Sequence, residues 1–328
     1  MSAVVSKVTK RRSGILGVLG GSPIMGPLAA LVLAIIFFAT QSDKFLTGAN
    51  FSLIMQQVMV VGTLAIGQTL VILTGGIDLS NGMIMALSSI LTTGLAVRSG
   101  VNPLLAVFIG MAVCVVFGLI NGGLVTGIGL PAFIVTLGTY NIAFALVRIY
   151  TTSTVTSLPD ILLFFGRTFN VGGTEVSYGS VVMIILFIIA WYVLRSTPAG
   201  RSVYAVGDNP EAARLAGINT NRVLLGVYTI AAITYGIAGL LLMSRTGVGD
   251  PNAGGTSNLD SITAVVIGGV SLLGGRGHIM GALIGALIVG VFRNGLQLMG
   301  IPSIYQTLIT GVLVIAAVSV DYLSHRGK

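Results

Sequence analysis

Charge is what this chain has least of. Of its 328 residues only 8% are Asp, Glu, Lys or Arg, while 54% are hydrophobic; an average soluble domain carries roughly 25% charged residues. That deficit excludes an ordinary soluble enzyme. Two histidines, one cysteine and nine carboxylates are too few and too scattered to converge as acid, base, nucleophile or metal ligands. His278 stands beside Arg276 in a short loop and His325 near the C-terminus, with no second His or Cys at ligand spacing from either, so no metal site is expected. The lysines are Lys7, Lys10, Lys44 and Lys328, which excludes a Gly-x-x-x-x-Gly-Lys-Ser/Thr phosphate loop. Cys114 is alone in an apolar run, so no disulfide forms within the chain.

Long uncharged runs fill the sequence instead, among them residues 45–77, 99–147 and 294–320. A spanning helix needs about 20 apolar residues. Breaking the long runs at Gly and Pro gives ten expected spans, at about 23–40, 51–73, 80–97, 103–125, 131–149, 179–195, 223–243, 260–275, 280–298 and 303–321. The fold class is therefore an all-α polytopic membrane protein of about ten transmembrane helices, with a basic tail over 1–22, one membrane domain over 23–322 and a tail over 323–328. A secretory signal is the weaker reading of the N-terminus, because the run over 13–42 is too long for an apolar signal core.

The net charge of +8 would suggest nucleic acid in a soluble chain. Its positions point to a membrane. Lys7, Lys10, Arg11 and Arg12 precede the first span, Arg195, Arg201, Arg214 and Arg222 share one connecting loop, and Arg326 and Lys328 end the chain. An even number of spans puts all three clusters on one side, which the positive-inside rule makes cytoplasmic, with eleven basic residues inside and five outside. Tyr150 to Ser177, rich in Thr and Ser with a Gly172-Gly173 turn, is then external.

Forty-six glycines lie mostly within the spans. Gly118-x-x-x-Gly122 and Gly281-x-x-x-Gly285 predict close helix packing. The span at 260–275 is short and ends in Gly268-Gly269 and Gly274-Gly275, so a broken, re-entrant or half-length helix is expected there. Among polar residues in spans, Arg293 lies about fourteen residues into its helix, snorkelling or bonded to carbonyls. Asp78 and Asp260 stand at span ends as expected helix N-caps, with a gating role as the alternative.

The inner loop contains a complete short helix in local chemistry alone. Asn209 suits the N-cap, Pro210 the first turn, Glu211 the positive end of the dipole, and Gly217 a left-handed C-terminal cap. Between them run Ala212, Ala213, Arg214, Leu215 and Ala216. So short a helix does not hold alone in water. It must dock, on a partner's groove or on this chain's own inner surface, and its small apolar residues suit a groove.

This stretch, Tyr204 to Ile218, resembles the coupling loop of bacterial sugar ABC-importer permeases of the ribose/xylose type, a branch of the ribose and branched-chain amino-acid permease group. Gly75-Gly76-Ile77-Asp78-Leu79-Ser80, Pro131 to Thr139, Leu259 to Gly269 and Asn294-Gly295-Leu296-Gln297-Leu298 match the group in the same order. The group usually has a small residue such as Val where Asn81 follows Ser80 here. The resemblance implies a type II importer permease in the bacterial inner membrane, working with a second permease subunit, a cytoplasmic ABC ATPase and an extracytoplasmic sugar-binding protein. ATP and Mg would belong to the ATPase, with no cofactor on this chain and no nucleic-acid partner.

The absence of a carboxylate relay in the spans argues against self-driven transport. A secondary transporter or channel for a small polar solute is the alternative, should the inner helix prove to be internal packing. For the solute's path, Gln57 and Gln68 are eleven residues apart, on one stripe of a helix, and Asn294 and Gln297 are neighbours at i and i+3. An uncharged polyol needs neutral donors and acceptors. These four amides are the expected path lining, against interhelical amide packing as the competing reading.

Overall fold

The computed structural model describes residues 24–326; the basic cluster at Lys7 to Arg12 and Lys328 lie outside them. Twelve α-helices follow in order: α1 (Met25–Gln41), α2 (Gly48–Leu73), α3 (Asn81–Val97), α4 (Pro103–Gly123), α5 (Ala132–Tyr150), α6 (Tyr178–Ser196), α7 (Pro198–Asp208), α8 (Pro210–Leu215), α9 (Thr220–Thr246), α10 (Ser257–Ile267), α11 (Ile279–Leu298) and α12 (Ser303–Arg326). α4 runs on through a π-turn at Leu124–Ile128 and stops at Gly129 in the left-handed conformation. The expectation of an all-α chain needs one correction. Strands β1 (Thr168–Val171) and β2 (Thr174–Ser177) form an antiparallel hairpin, because Gly172 and Gly173 both take positive φ, as a tight two-residue hairpin turn requires.

Each expected span overlaps a helix, the one over 260–275 only as far as Ile267, and the helices are not equivalent. Among the described residues six helices are long and apolar enough to cross a membrane: α2, α4 with its π-turn, α5, α6, α9 and α11. α1 and α3 have 17 residues each. α10 has 11, about 16 Å of rise against a hydrocarbon core of about 30 Å. The single span expected over 260–275 is therefore a half-length helix followed by an irregular glycine-rich link.

α2 is the axis of the molecule: its most apolar window is 78% buried, against 28% for α4, α5 and α6. Those outer helices present Phe108, Ile134, Ile149 and Ile188 outward, as helices facing hydrocarbon do. Glycine sets the close contacts inside. A methyl group at Gly118 would strike Ala232 and the Tyr228 carbonyl of α9, and one at Gly122 would strike Leu225. Methyls at Gly281 and Gly285 would fall on the carbonyl oxygens of Gly268 and Ala264. Both small-residue motifs thus let backbones touch, the first between α4 and α9, the second between α11 and α10.

The two long connections sit at opposite ends of α6. At one end the 151–177 segment packs on the end of α9: Val155 bridges to Gly249 and the Gly166 N–H donates to Ser244 Oγ at 2.7 Å. At the other, α7 lies on the C-terminal end of α2 and on the link between α10 and α11.

Candidate functional site: a capped helix and a polar cavity

α8 is built as its sequence dictates. The Asn209 side chain accepts from the Ala212 N–H at 3.0 Å, and Pro210 occupies the first helical position. At the other end Gly217 has φ +85°, its N–H donates to Arg214 O, and the Ile218 N–H donates to Ala213 O, both at 3.0 Å. This is a complete Schellman closure. Ala213 is the one buried residue of the helix. Glu211, Ala212, Arg214, Ala216 and Gly217 are exposed, and Leu215 is 90% exposed. Ala213 therefore anchors α8 to its own chain, and the exposed face of the helix centres on Leu215.

α8 is carried by a rigid arm. Thr197 caps α7, whose last turn sets Gly207 against the Leu73 carbonyl and the Gly275 N–H; a methyl there would fall on Leu73 O. The Gly275 N–H in turn donates to Leu73 O at 2.9 Å. Gly274 and Gly275 have φ +86° and +69°, conformations a side chain resists, with Gly75 and Asp208 packed against them. Tyr204 Oη donates to Gly277 O at 3.0 Å. Movement of α8 thus bears on two elements at once, α2 and the link that leads back into α10.

α10 leads to the second site. Near the opposite end of the molecule a cavity of about 360 Å³, within the range of small-molecule sites, is lined by Gln57 of α2, Arg245 of α9, Asp250 and Ser257 at the entry to α10, Arg293 and Gln297 of α11, and Gln306 of α12. A smaller cavity shares Arg293 and Gln306 with it and adds Asp260. Arg293 pairs with the buried Asp260 at 3.2 Å. Gln57 Oε1 and Arg245 Nε are buried there without a hydrogen-bond partner among the described residues. The lining offers donors and acceptors from five helices and is rich in neutral amides.

The four expected path amides divide. Gln57 and Gln297 line the cavity. Gln68 is fully buried and accepts from Asn81 Nδ2 at 2.9 Å, and the buried Asn294 donates to Asn50 at 2.8 Å. Those two join helices rather than line the cavity: Gln68 ties α2 to α3, and Asn294 ties α11 to the first turn of α2. Asp78 does not cap α3. It accepts from the Ser80 N–H at 2.8 Å in the turn before the helix, and Ser80 Oγ receives Asn121 Nδ2 at 3.1 Å. Asp260 is likewise no N-cap; α10 begins three residues earlier, and the carboxylate faces Arg293. Arg293 needs neither snorkelling nor carbonyls as its main partner. Sequence reading missed Arg245, Gln306 and the Asp260–Arg293 pairing. One signal was present: an ionisable residue deep in a span marks a functional site and wants a partner, here 33 positions away.

A helical bundle with apolar outer faces, a projecting capped helix at one end and a polar cavity toward the other defines a multi-pass membrane permease. The family described as branched-chain amino acid transport system / permease component matches residues 50–318, and the chain belongs to it. It is 48% identical to the fructose import permease protein FrcC of Rhizobium meliloti over 310 residues, 92% of this chain and 86% of that one. It is 41% identical to the ribose import permease protein RbsC of Bacillus subtilis over 90% of this chain and 92% of that one. Identity to the D-allose transport system permease protein AlsC of Escherichia coli is 35%, over 90% of each.

Proposed function

We propose that this chain is the transmembrane subunit of an ATP-driven ABC importer that translocates a pentose or hexose delivered by an extracytoplasmic binding protein. Relatives named for fructose, ribose and allose import support the cargo class. The observation that carries the coupling role is α8: a helix capped at both ends, with Ala213 its one buried side chain and Leu215 90% exposed. A leucine so placed costs free energy in water that docking into a groove of a cytoplasmic ATPase recovers, about 1.5–3 kcal/mol. ATP and Mg are used by that partner, and this chain contributes no catalytic group or cofactor. A second permease subunit, identical or homologous, completes the membrane part.

In this reading the end bearing Arg195, Arg201, Arg214 and Arg222 is cytoplasmic, the protein lies in the bacterial inner membrane, and both tails, 1–22 and 323–328, are cytoplasmic. Ten passages are supported if the irregular segment over 247–256 and α10 together make one. The sugar passes the cavity, where Gln57 and Gln297 meet its hydroxyls together with Arg245 and Gln306, while Gln68 and Asn294 hold the walls. Asp260 gates through its pairing with Arg293; Asp78 is structural.

The test is Leu215→Glu in the reconstituted transporter. Uptake and substrate-stimulated ATPase activity should both be lost, with membrane insertion and melting temperature unchanged. Survival of both activities removes α8 from coupling. Ala213 is no test of docking, since a bulky residue there would strike the chain's own packing. Uptake by this chain without an ATPase, driven by an ion gradient, would favour a self-sufficient secondary transporter instead.

A further inference from the structure

A further pocket, which touches the α8 arm only at Tyr204, lies where α6 meets α7 and the start of α11. It has a volume of about 310 Å³ and is lined by Trp191, Leu194, Arg195, Tyr204, His278 and Ile279. Arg195, in the last turn of α6, is exposed, stacks its guanidinium over the Trp191 ring at 5.3 Å, and forms no ion pair among the described residues. His278 Nδ1 accepts from the Met280 N–H at 3.2 Å as the N-cap of α11. That bond fixes the tautomer and leaves Nε2 as the hydrogen donor. Burial first, and then the neighbouring Arg195 charge, hold His278 below the ordinary histidine range. The pocket therefore offers a planar cation, an N–H donor and an indole, with no carboxylate among its lining residues.

What surrounds it narrows the ligand. Ile184, Ile188 and Tyr192 are exposed at helical spacing on α6, on a stripe that reaches Trp191 and Arg195 at its end. An apolar stripe running into an aromatic and then a cation is the order of chemistry along a phospholipid: acyl chain, glycerol and ester, phosphate. Tryptophan settles at that boundary in membrane proteins, and basic pockets between helices on the cytoplasmic side take anionic headgroups.

We propose that this pocket binds the phosphate of an anionic phospholipid of the inner leaflet, with Arg195 and His278 on the headgroup and the acyl chains along Ile184 and Ile188. Only the choice of leaflet rests on the orientation proposed above. Because Tyr204 belongs to the arm that carries α8 and bonds Gly277, the bound lipid braces that arm against α6.

The purified full-length chain in neutral detergent, titrated with phosphatidylglycerol or phosphatidylcholine and followed by native mass spectrometry and thermal unfolding, tests this directly. Phosphatidylglycerol should be retained preferentially and raise the melting temperature. Arg195→Gln should weaken its binding about fivefold, while Arg195→Lys, which keeps the charge, should lose less. Equal binding of the two lipids, or an unaltered preference in Arg195→Gln, overturns the site. Inorganic phosphate giving the same stabilisation overturns the lipid assignment in favour of a soluble anion. If Arg195→Gln does not fold, the comparison of lipids on the unmodified chain decides alone. These readouts need neither uptake nor an ATPase, so their failure leaves the importer reading standing.

Discussion

Two short helices, α8 and α10, are specified in opposite ways. α8 has six residues, both ends closed by its own sequence, and one buried side chain. α10 has eleven residues, an N-cap Thr256 that makes no side-chain bond, and continuous burial from Ser261 to Val266 with Asn258 and Asp260 buried before it. It is held from outside. Asn258 Nδ2 reaches Leu79 O at 3.2 Å, Asn81 Nδ2 donates to Ser261 Oγ at 2.8 Å, Asp260 meets Arg293, and α11 lies backbone to backbone against it. A helix that must project into water carries its own caps. A helix that ends inside a bundle borrows its ends from neighbours, and its stability belongs to them.

The sharpest way to break that contrast is Gly285→Val. The added carbons would fall on Ala264 O, and neither backbone can retreat, so α10 and α11 should separate; we expect loss of monodisperse protein in size-exclusion chromatography. Gly226→Ala, on a surface with nothing within 4 Å, should leave the profile unchanged. Next in size is Arg293→Met, which strands a buried carboxylate. Breaking a buried pair costs about 3–5 kcal/mol, and with the arginine side chain 44% exposed a fall of about 2 kcal/mol is the discounted expectation. Adding Asp260→Asn should restore much of the melting temperature but not uptake.

Asn81→Val comes third. It removes both hydrogen bonds that tie α10 and Gln68 to α3, leaving buried polar atoms unmet at a cost of about 1–3 kcal/mol. A drop of several degrees in melting temperature would follow; an unchanged value would mean that α10 does not depend on this link. Smallest in stability is Asn209→Ala. The lost cap is worth about 1 kcal/mol to α8, yet α8 contributes little to the bundle, so the global melting temperature should stay put. Hydrogen exchange at Ala212 and Ala213 should rise, and coupling of ATPase activity to substrate should weaken.

How much could be read beforehand follows from the same contrast. α8 was legible to within one residue, ending at Leu215 rather than Ala216, because capping is local chemistry. The apolar segments were legible because hydrophobic runs are. The half-length of α10 was signalled only by its paired glycines. Gln57 and Gln68 could not be told apart: both lie on one stripe of α2, and what differs is the neighbour each meets, a cavity for one and Asn81 for the other. Asn81, which no local pattern singles out, joins three helices. Asp260 and Arg293 each looked like an isolated charge because their pairing is made by the fold.

The seat of Gly207 on the Leu73 carbonyl has a consequence best put in terms of stiffness. Where two elements meet through side chains, a rotamer hop can absorb an ångström of travel before anything beyond the contact moves, as play does in a worn joint. Here backbone rests on backbone, and the Gly275 N–H is bonded to the same oxygen. There is no side chain to yield. Under the proposed coupling role, a displacement of the arm would reach the end of α2 with no side chain between them to take it up.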